Sequence, residues 1–224
     1  MLNRAARYFP ILREIRQLVD LQNGVRVLEV GSGSIGVGEF WRHAFVGCDV
    51  TFPGRPHPPM RAVRCSGSQL PFADQFFDVV VVSDVMEHVP PDWRENVISE
   101  VLRVSRAVAV FGYPCGVLAK ALDSKLHDRY LNRNMAPPIW LAEHMMHPFP
   151  DEQLFSEPPA GWKVKSVPNE SLDFHYQMMQ MEMYFPLNYL FRLGLRVMPG
   201  VIEKLLRRVD REPSYRRIFV LSRQ

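Results

Sequence analysis

The feature that most constrains this chain is an apolar stretch that leads directly into closely spaced glycines, residues Val25–Gly38 with the sequence VRVLEVGSGSIGVG. Its first six residues combine Val and Leu without proline, which predicts a buried strand. The glycines that follow let the backbone turn sharply and approach a ligand closely. They are Gly31, Gly33, Gly36 and Gly38. A strand, a glycine loop and the start of a helix predict a nucleotide site, and the simpler alternative is a glycine-rich turn without a ligand.

The glycines alone fit two classes of nucleotide ligand. The segment Gly31–Gly36 fits GxGxxG, the pattern typical of dinucleotide sites. It also fits a looser acidic-x-Gly-x-Gly pattern, because Glu29 stands two residues before Gly31. A carboxylate at that position would repel a pyrophosphate, whereas it suits a cationic ligand without phosphate. An NAD(P)-dependent oxidoreductase therefore stays open as the alternative reading of the same loop.

Length, charge and cysteine usage exclude several classes of protein. The chain has 224 residues, 47% of them apolar, and a formal net charge of +3. That length supports one core, so we expect a single domain over residues 1–224, and the charge is too small to indicate nucleic acid as a partner. The three separated cysteines, Cys48, Cys65 and Cys115, predict reduced thiols. With no apolar leader and no membrane span in the sequence, we expect a cytoplasmic protein.

The rest of the chain predicts an alternation of helices and strands. Apolar residues at helical spacing predict a helix over residues 5–21, with Pro10 in its first turn and Asn23-Gly24 at its end. A short helix is predicted at 37–43, and further strands at 44–50, 61–65, 77–83 and 107–112. Strands that alternate with helices in this way predict an α/β fold with a doubly wound parallel sheet.

An acidic residue follows the glycine loop at a position where it could bind a nucleotide. Asp49 closes the second predicted strand. In nucleotide-binding α/β sheets, an acid at that position hydrogen-bonds a ribose diol. The alternative is a solvated carboxylate at the end of a strand.

Four stretches carry motifs in a fixed order: LEVGSGS at Leu28–Ser34, GCD at Gly47–Asp49, SQLPFADQFFDVVVVSDVMEHV at Ser68–Val89 and RVSRAVAVFGYP at Arg103–Pro114. Together they resemble the class I S-adenosylmethionine-dependent methyltransferases, in particular the type 11 methyltransferase domain. The third stretch is the most specific, because LPF…FDVV…EHV is absent from dehydrogenases. The resemblance implies S-adenosyl-L-methionine as the cofactor.

The resemblance also implies an architecture. It is a Rossmann-like, doubly wound sheet of seven strands in the order 3-2-1-4-5-7-6, with strand seven antiparallel. Residues 162–167 and 215–221 fit strands six and seven. The chain would then divide into an N-terminal helix (1–23), a cofactor-binding core (24–115), a lid and acceptor region (116–160) and a helical insert before the last strand (171–213).

The resemblance assigns roles to individual positions. Gly31 and Gly33 would pass under the methionine part of the cofactor, and Glu29 would act through its ammonium group or through the loop backbone. Asp49 would hold the ribose. The adenine would lie beside Gly67, Ser68 and Leu70, and the methionine part beside Ser83 and Asp84. The sequence departs from the family pattern at Ser66, where an acid is common, and at Ile35, where a third glycine is common.

Methyl transfer needs positioning above all, but an oxygen acceptor must also lose its proton. His88 follows the fourth strand, at the edge where open α/β sheets bind ligands, so it is the candidate base, with Glu87 as a weaker candidate. His144, in WLAEHMMHPFPDEQLF, is a candidate lid residue of the acceptor pocket. The pair His144 and His147 lacks further ligands nearby in sequence, so we expect no metal.

The acceptor is constrained only in class. Ser83-Asp84-Val85-Met86 stands where enzymes that methylate the amino groups of bases carry an Asn- or Asp-Pro-Pro-aromatic tetrad. The WLAEH stretch and the FPDEQLF stretch are similar to bacterial methyltransferases, some of them linked to cell-surface glycans. We therefore expect O-methylation of a small-molecule or glycan- or lipid-linked acceptor, and a non-catalytic member of the fold is a further alternative.

The insert adds two open readings. Its methionines and aromatic residues, from Met178 to Phe185, fit either core packing or a pocket for an apolar acceptor. Residues 186–209 form a basic amphipathic pattern, interrupted at Pro199-Gly200, which fits either a solvated face or weak contact with an anionic membrane.

Overall fold

A computed structural model describes residues 2–20, 24–182, 193–195 and 197–224 of the chain. Its strands are β1 (Val27–Val30), β2 (Phe45–Asp49), β3 (Met60–Arg64), β4 (Phe77–Ser83), β5 (Ser105–Pro114), β6 (Trp162–Ser171) and β7 (Ser214–Arg223). Its α-helices include α1 (Leu2–Leu18), α2 (Arg94–Val104), α3 (Gly116–Leu131), α4 (Ile139–Glu143), α5 (Leu172–Glu182) and α6 (Pro199–Arg207).

The seven strands form one sheet in the order β3-β2-β1-β4-β5-β7-β6, so the predicted fold class is confirmed. Strands β1 to β5 pair in parallel, and β7 is antiparallel to both β5 and β6. The parallel strands therefore end at one edge of the sheet. The glycine loop that follows β1, Asp49 at the end of β2 and Asp84 just after β4 lie at this edge.

Successive residues of the central strands face two different apolar layers, as the two-residue period of a strand requires. Leu28 and Val30 of β1 pack in the layer that contains Val101 of α2. Val27 packs in the opposite layer, against Ile11 and neighbouring residues of α1. Both faces of the sheet are covered, which explains why β1 and β4 are almost continuously apolar.

Helix α1 differs from the sequence-based prediction at both ends. It begins at Leu2 rather than at residue 5, so Pro10 lies in the helix interior and not in its first turn. Proline has no N–H to bond the carbonyl four residues earlier, which here is that of Ala6. The Asn169 side chain donates to that carbonyl at 3.1 Å instead. The helix ends at Leu18, and the predicted stop at Asn23 lies outside the described residues.

The insert packs as an added helical layer in its described part. Met178 and Met179 of α5 are buried among Leu2 of α1, Leu126 of α3 and Leu206 of α6. These two methionines therefore follow the core-packing reading rather than the pocket reading. Met183, Tyr184 and Phe185 lie outside the described residues.

The predicted membrane contact through residues 186–209 stays a prediction. Residues 186–192 and 196 lie outside the described part, and α6 begins at Pro199, where the sequence predicted an interruption. Across the described residues, none of the helices has the length and apolar character that crossing a membrane requires.

Candidate active site

The glycine loop after β1 has a backbone that requires glycine. Gly31, Gly33 and Gly36 have φ values of +74°, +52° and +51°, in the left-handed region that disfavours side chains. A Cβ atom at Gly31 would lie closer than 3.0 Å to the Val85 side chain, whereas one at Gly33 would meet no atom of the described residues within 4 Å. Gly31 is therefore needed for packing, and Gly33 leaves open space above the loop. The predicted helix after the loop is a short 3₁₀ turn, Gly36–Glu39.

We expect Gly31→Ala to lower the free energy of unfolding by about 1–3 kcal/mol, because it adds both backbone strain and overlap with Val85. Adding Val85→Ala to the same chain should recover the share of this loss that comes from the overlap. In urea denaturation, the double variant should therefore be more stable than the sum of the two single losses predicts. Gly33→Ala is the matched control, since it adds strain without overlap and should show no such coupling. Additive losses for Gly31→Ala and Val85→Ala would contradict the packing role.

The Glu29 carboxylate is hydrogen-bonded to other groups of the protein. Its carboxylate is buried and accepts hydrogen bonds from the Tyr8 hydroxyl of α1 and from the Val37 N–H, each at 2.6 Å. Burial raises the pKa of the Glu29 carboxyl, and the two hydrogen bonds oppose that rise. The sequence predicted that Glu29 contacts either the cofactor's ammonium group or the loop backbone, and in the structure it bonds the loop backbone at Val37. The carboxylate therefore fixes the loop to α1.

Asp49 lies at the end of β2, beside the glycine loop. One carboxylate oxygen accepts from the Gly33 N–H at 2.8 Å, and the other accepts from the Thr51 N–H at 3.1 Å. A carboxylate has about four acceptor sites, so two remain for a ligand. The side chain is half-buried and lines a cleft, as the predicted ribose contact requires.

The predicted adenine-side residues follow β3. The Ser68 hydroxyl lies 2.8 Å from that of Ser66, and Gly67 packs close to Val30 of β1. Leu70 is buried in the apolar layer beneath the sheet edge, and its N–H donates to Glu100 at 2.7 Å. Their contact with adenine stays a prediction.

Ser83 is the last residue of β4 and Asp84 follows it, and two arginines contact the Asp84 carboxylate. Arg216 of β7 forms a two-point ion pair with Asp84, at 2.6 and 2.9 Å, and Arg7 of α1 adds a third contact at 2.6 Å. Burial alone would raise the pKa of the Asp84 carboxyl, but the two arginines outweigh it and lower that pKa to about 2. Arg216 also pairs with the buried Glu170. The neighbouring Ser83 hydroxyl is buried and has no hydrogen-bond partner among the described residues.

The three candidate catalytic side chains converge. Glu87 and His88 lie in the turn after β4, and His144 follows α4. The Nε2 atoms of His144 and His88 lie 3.7 and 4.0 Å from Glu87 Oε1. Burial by itself lowers the pKa of the His144 imidazole. The hydrogen bond to Asp123 and the nearby negative charge of Glu87 outweigh burial and raise that pKa to about 9. His88 is the partly exposed member, since Glu87 and His144 are buried.

Two cavities meet at this edge of the sheet and share Asp84 and His88. The main cleft, of about 510 Å³, is lined by residues from the glycine loop, the end of β2 and the segment after α4: Gly31, Asp49, Val50, Thr51, Asp84, Val85, His88, Glu143, Met146 and His147. The side pocket, of about 200 Å³, is lined by Asn3, Arg7, Asp84, His88, Trp140, His144, His175, Tyr215 and Arg216. Another cavity, of about 470 Å³, lies at the amino ends of β1 and β2, the opposite edge from where open α/β sheets bind ligands.

Sequence reasoning missed the residues that hold these groups in place. Tyr8 falls within the predicted helix 5–21 and Arg216 within the predicted strand 215–221, and the sequence predicts no further role for either. Asp123, which binds His144, stands in a helix without any motif. Arg216 carried no signal of its own, because β7 has the sequence SYRRIFVLSR and also contains Arg217 and Arg223.

The sheet order and the glycine loop together define the fold of the class I methyltransferases. Residues 28–111 match the sequence model of the family described as methyltransferase domain. This part of the chain is a methyltransferase domain, and the resemblance proposed from the motifs is confirmed.

Known proteins agree with this assignment. A protein of Mycolicibacterium vanbaalenii named "uncharacterized methyltransferase" is 37% identical over 108 residues, which cover 41% of this chain and 40% of that protein. One from Mycobacterium sp. strain KMS is 51% identical over 55 residues, covering 24% of this chain and 21% of its own. The chain therefore spans less than half the length of these relatives.

Solved structures share the fold across nearly the whole chain. Magnesium protoporphyrin IX methyltransferase of Synechocystis PCC 6803, solved with bound S-adenosylhomocysteine, has a TM-score of 0.52 at 12% identity and covers 97% of this chain and 84% of that one. Phosphoethanolamine N-methyltransferase 2 of Haemonchus contortus, in complex with S-adenosylhomocysteine, has a TM-score of 0.53 at 11% identity, over 95% of this chain and 52% of that one. At these identities the likeness concerns the fold.

Proposed function

We propose that this protein is a methyltransferase that binds S-adenosylmethionine in the main cleft. The observation that carries the proposal is the open face of the glycine loop at Gly33, with the Asp49 carboxylate beside it, inside a methyltransferase domain. The cleft volume of about 510 Å³ lies within the usual range of about 300–1,000 Å³ for ligand pockets. When bound, the cofactor supplies a methyl group on a positively charged sulfur.

Of the residues assigned to the cofactor's separate parts, Gly31, Asp49 and Asp84 line the cleft, and the others lie outside its lining. Asp49 has acceptor sites left for a ribose diol, and the unpartnered Ser83 hydroxyl offers a polar contact near the methionine part. Gly67, Ser68 and Leu70 take the adenine side. Glu29 acts indirectly, because it fixes the loop through Val37.

The acceptor enters the side pocket, which opens onto the main cleft at Asp84 and His88. Polar groups without partners line it: the Arg7 Nε and the His175 Nε2 are buried and unbonded among the described residues. Such a lining favours a polar acceptor, and we propose O-methylation of a small-molecule or glycan- or lipid-linked hydroxyl or carboxylate. His88 is the candidate group that takes up the acceptor's proton, because it borders both cavities.

Isothermal titration calorimetry with S-adenosylhomocysteine and with NAD tests the cofactor. We expect S-adenosylhomocysteine to bind and, at a hundredfold excess over its dissociation constant, to raise the free energy of unfolding by about 2.7 kcal/mol. Binding of NAD with no response to S-adenosylhomocysteine would favour the oxidoreductase alternative. A cell extract incubated with the protein and an isotope-labelled methyl donor tests transfer: cofactor binding without any labelled product would favour the non-catalytic alternative.

A further inference from the structure

Glu87, His88 and His144 form what we call the Glu–His–His cluster. One metal-ligating atom from each lies within 4.8 Å of the other two. The Glu87 Oε1 is 3.7 Å from the His144 Nε2 and 4.0 Å from the His88 Nε2. These separations exceed hydrogen-bond length, so the three groups surround a shared point without bonding one another.

Glu87 is the member that most requires a partner. Its side chain is 0% exposed, and neither carboxylate oxygen has a hydrogen-bond partner among the described residues. The carboxylate faces the His144 imidazole at 3.7 Å, but a buried carboxylate that accepts no hydrogen bond is still unfavourable. A cation between Glu87 and the two imidazoles would remove that cost.

A carboxylate lies beside the Nδ1 atom of each imidazole, and the one beside His144 is hydrogen-bonded to it. His144 Nδ1 lies 2.6 Å from Asp123 Oδ2, and His88 Nδ1 lies 3.3 Å from Glu143 Oε2. Asp123 is itself fixed by the Tyr215 hydroxyl at 2.8 Å. Histidines that bind metals commonly carry such a carboxylate on the second ring nitrogen, which fixes the tautomer and directs the first nitrogen at the ion.

We propose that the Glu–His–His cluster binds one divalent metal ion, with the Glu87 carboxylate and the Nε2 atoms of His88 and His144 as ligands. One carboxylate and two imidazoles suit zinc and the first-row transition ions. Ligand atoms bound tetrahedrally at about 2.1 Å lie about 3.4 Å apart, so the separations of 3.7 and 4.0 Å would shorten by about 0.3–0.6 Å. This proposal departs from the sequence-based expectation of no metal, which considered only the pair His144 and His147.

The ion would face the substrate, because His88 borders both the main cleft and the side pocket. Its role in the reaction rests on the proposed function: coordination of an acceptor oxygen lowers the pKa of that group and holds it for methyl transfer. With the ion in place, His88 would be a ligand rather than the base, and the acceptor, its pKa lowered by the ion, would release its proton to water in the open cleft. Metal binding itself can be tested without any turnover.

Equilibrium dialysis of the chelator-treated chain against Mn²⁺ and Zn²⁺, with elemental analysis, tests the site. We expect close to one ion per chain and a rise in Tm when the ion is added, together with a changed Mn²⁺ electron paramagnetic resonance spectrum. Glu87→Gln and His144→Ala should each weaken binding at least a hundredfold. His147→Ala and the exposed control His43→Ala should bind as tightly as the wild type.

The stability of Glu87→Gln without metal shows whether a loss of metal binding is caused by misfolding. This variant keeps the size of the side chain and removes a buried carboxylate that has no hydrogen bond, so its Tm without metal should stay close to that of the wild type, while the metal-induced rise disappears. Substoichiometric uptake of both ions by a chain that still binds S-adenosylhomocysteine would overturn the metal site and leave the proposed function standing. Loss of binding in His147→Ala but not in Glu87→Gln would also overturn it, in favour of the histidine pair.

Discussion

Replacing Arg216 with methionine is expected to lower the free energy of unfolding by about 3–5 kcal/mol, the usual cost of removing one partner from a buried ion pair. Arg216 is 1% exposed, and its guanidinium pairs with both Asp84 and Glu170. Its loss leaves these two acids close together with less positive charge between them. Urea denaturation, extrapolated to water, measures the change.

Arg106→Met is the matched control for that experiment. The Arg106 side chain is 53% exposed and contacts Asp78 at 3.2 Å, and an exposed ion pair contributes about 0–1 kcal/mol. Arg216→Lys keeps the charge but loses the two-point geometry, so its stability should fall between that of the wild type and that of Arg216→Met. Losses of equal size at Arg216 and Arg106 would contradict the view that Arg216 holds the β4 and β7 ends together.

Asp49→Ala is expected to weaken the binding of S-adenosylhomocysteine at least tenfold. Hydrogen bonds from a ribose diol to a carboxylate are worth about 1.5–3 kcal/mol each, which is about 10- to 100-fold in affinity for each bond. The variant also loses the bond to the Gly33 N–H, so the loop becomes less well ordered before the ligand binds. Calorimetric titration of the wild type and the variant measures the difference.

A ligand variant separates the ribose contact from loop disorder. An S-adenosylhomocysteine analogue that lacks the ribose 2′-hydroxyl should bind the wild type more weakly than S-adenosylhomocysteine does. In Asp49→Ala, the two ligands should bind with nearly equal affinity. Coupling in this double-mutant cycle isolates the pairwise contact. Asp74→Ala serves as the protein control, because that carboxylate is 74% exposed and pairs with Arg103. Full affinity in Asp49→Ala would refute the ribose role.

The sheet and its ligand edge could be predicted because their signals are local. An apolar strand that leads into glycines, an acid at the end of the next strand and a continuous apolar β4 are patterns within a few residues of sequence. Where local patterns were ambiguous, the prediction failed: Pro10 was assigned to a first turn because nothing local revealed that Asn169 would satisfy the Ala6 carbonyl. That contact joins residues 163 positions apart.

The sequence by itself determined the parallel α/β sheet and the positions of the glycine loop and Asp49, and the order of the seven strands followed from the resemblance of its motifs to a known family. Only the tertiary structure decided which charges meet. Arg216 reaches Asp84 across 132 positions, and His144 joins Asp123 and Glu87 from a separate helix. Such pairs depend on how helices and strands pack against each other, and packing is set by the sum of many weak contacts rather than by any local pattern.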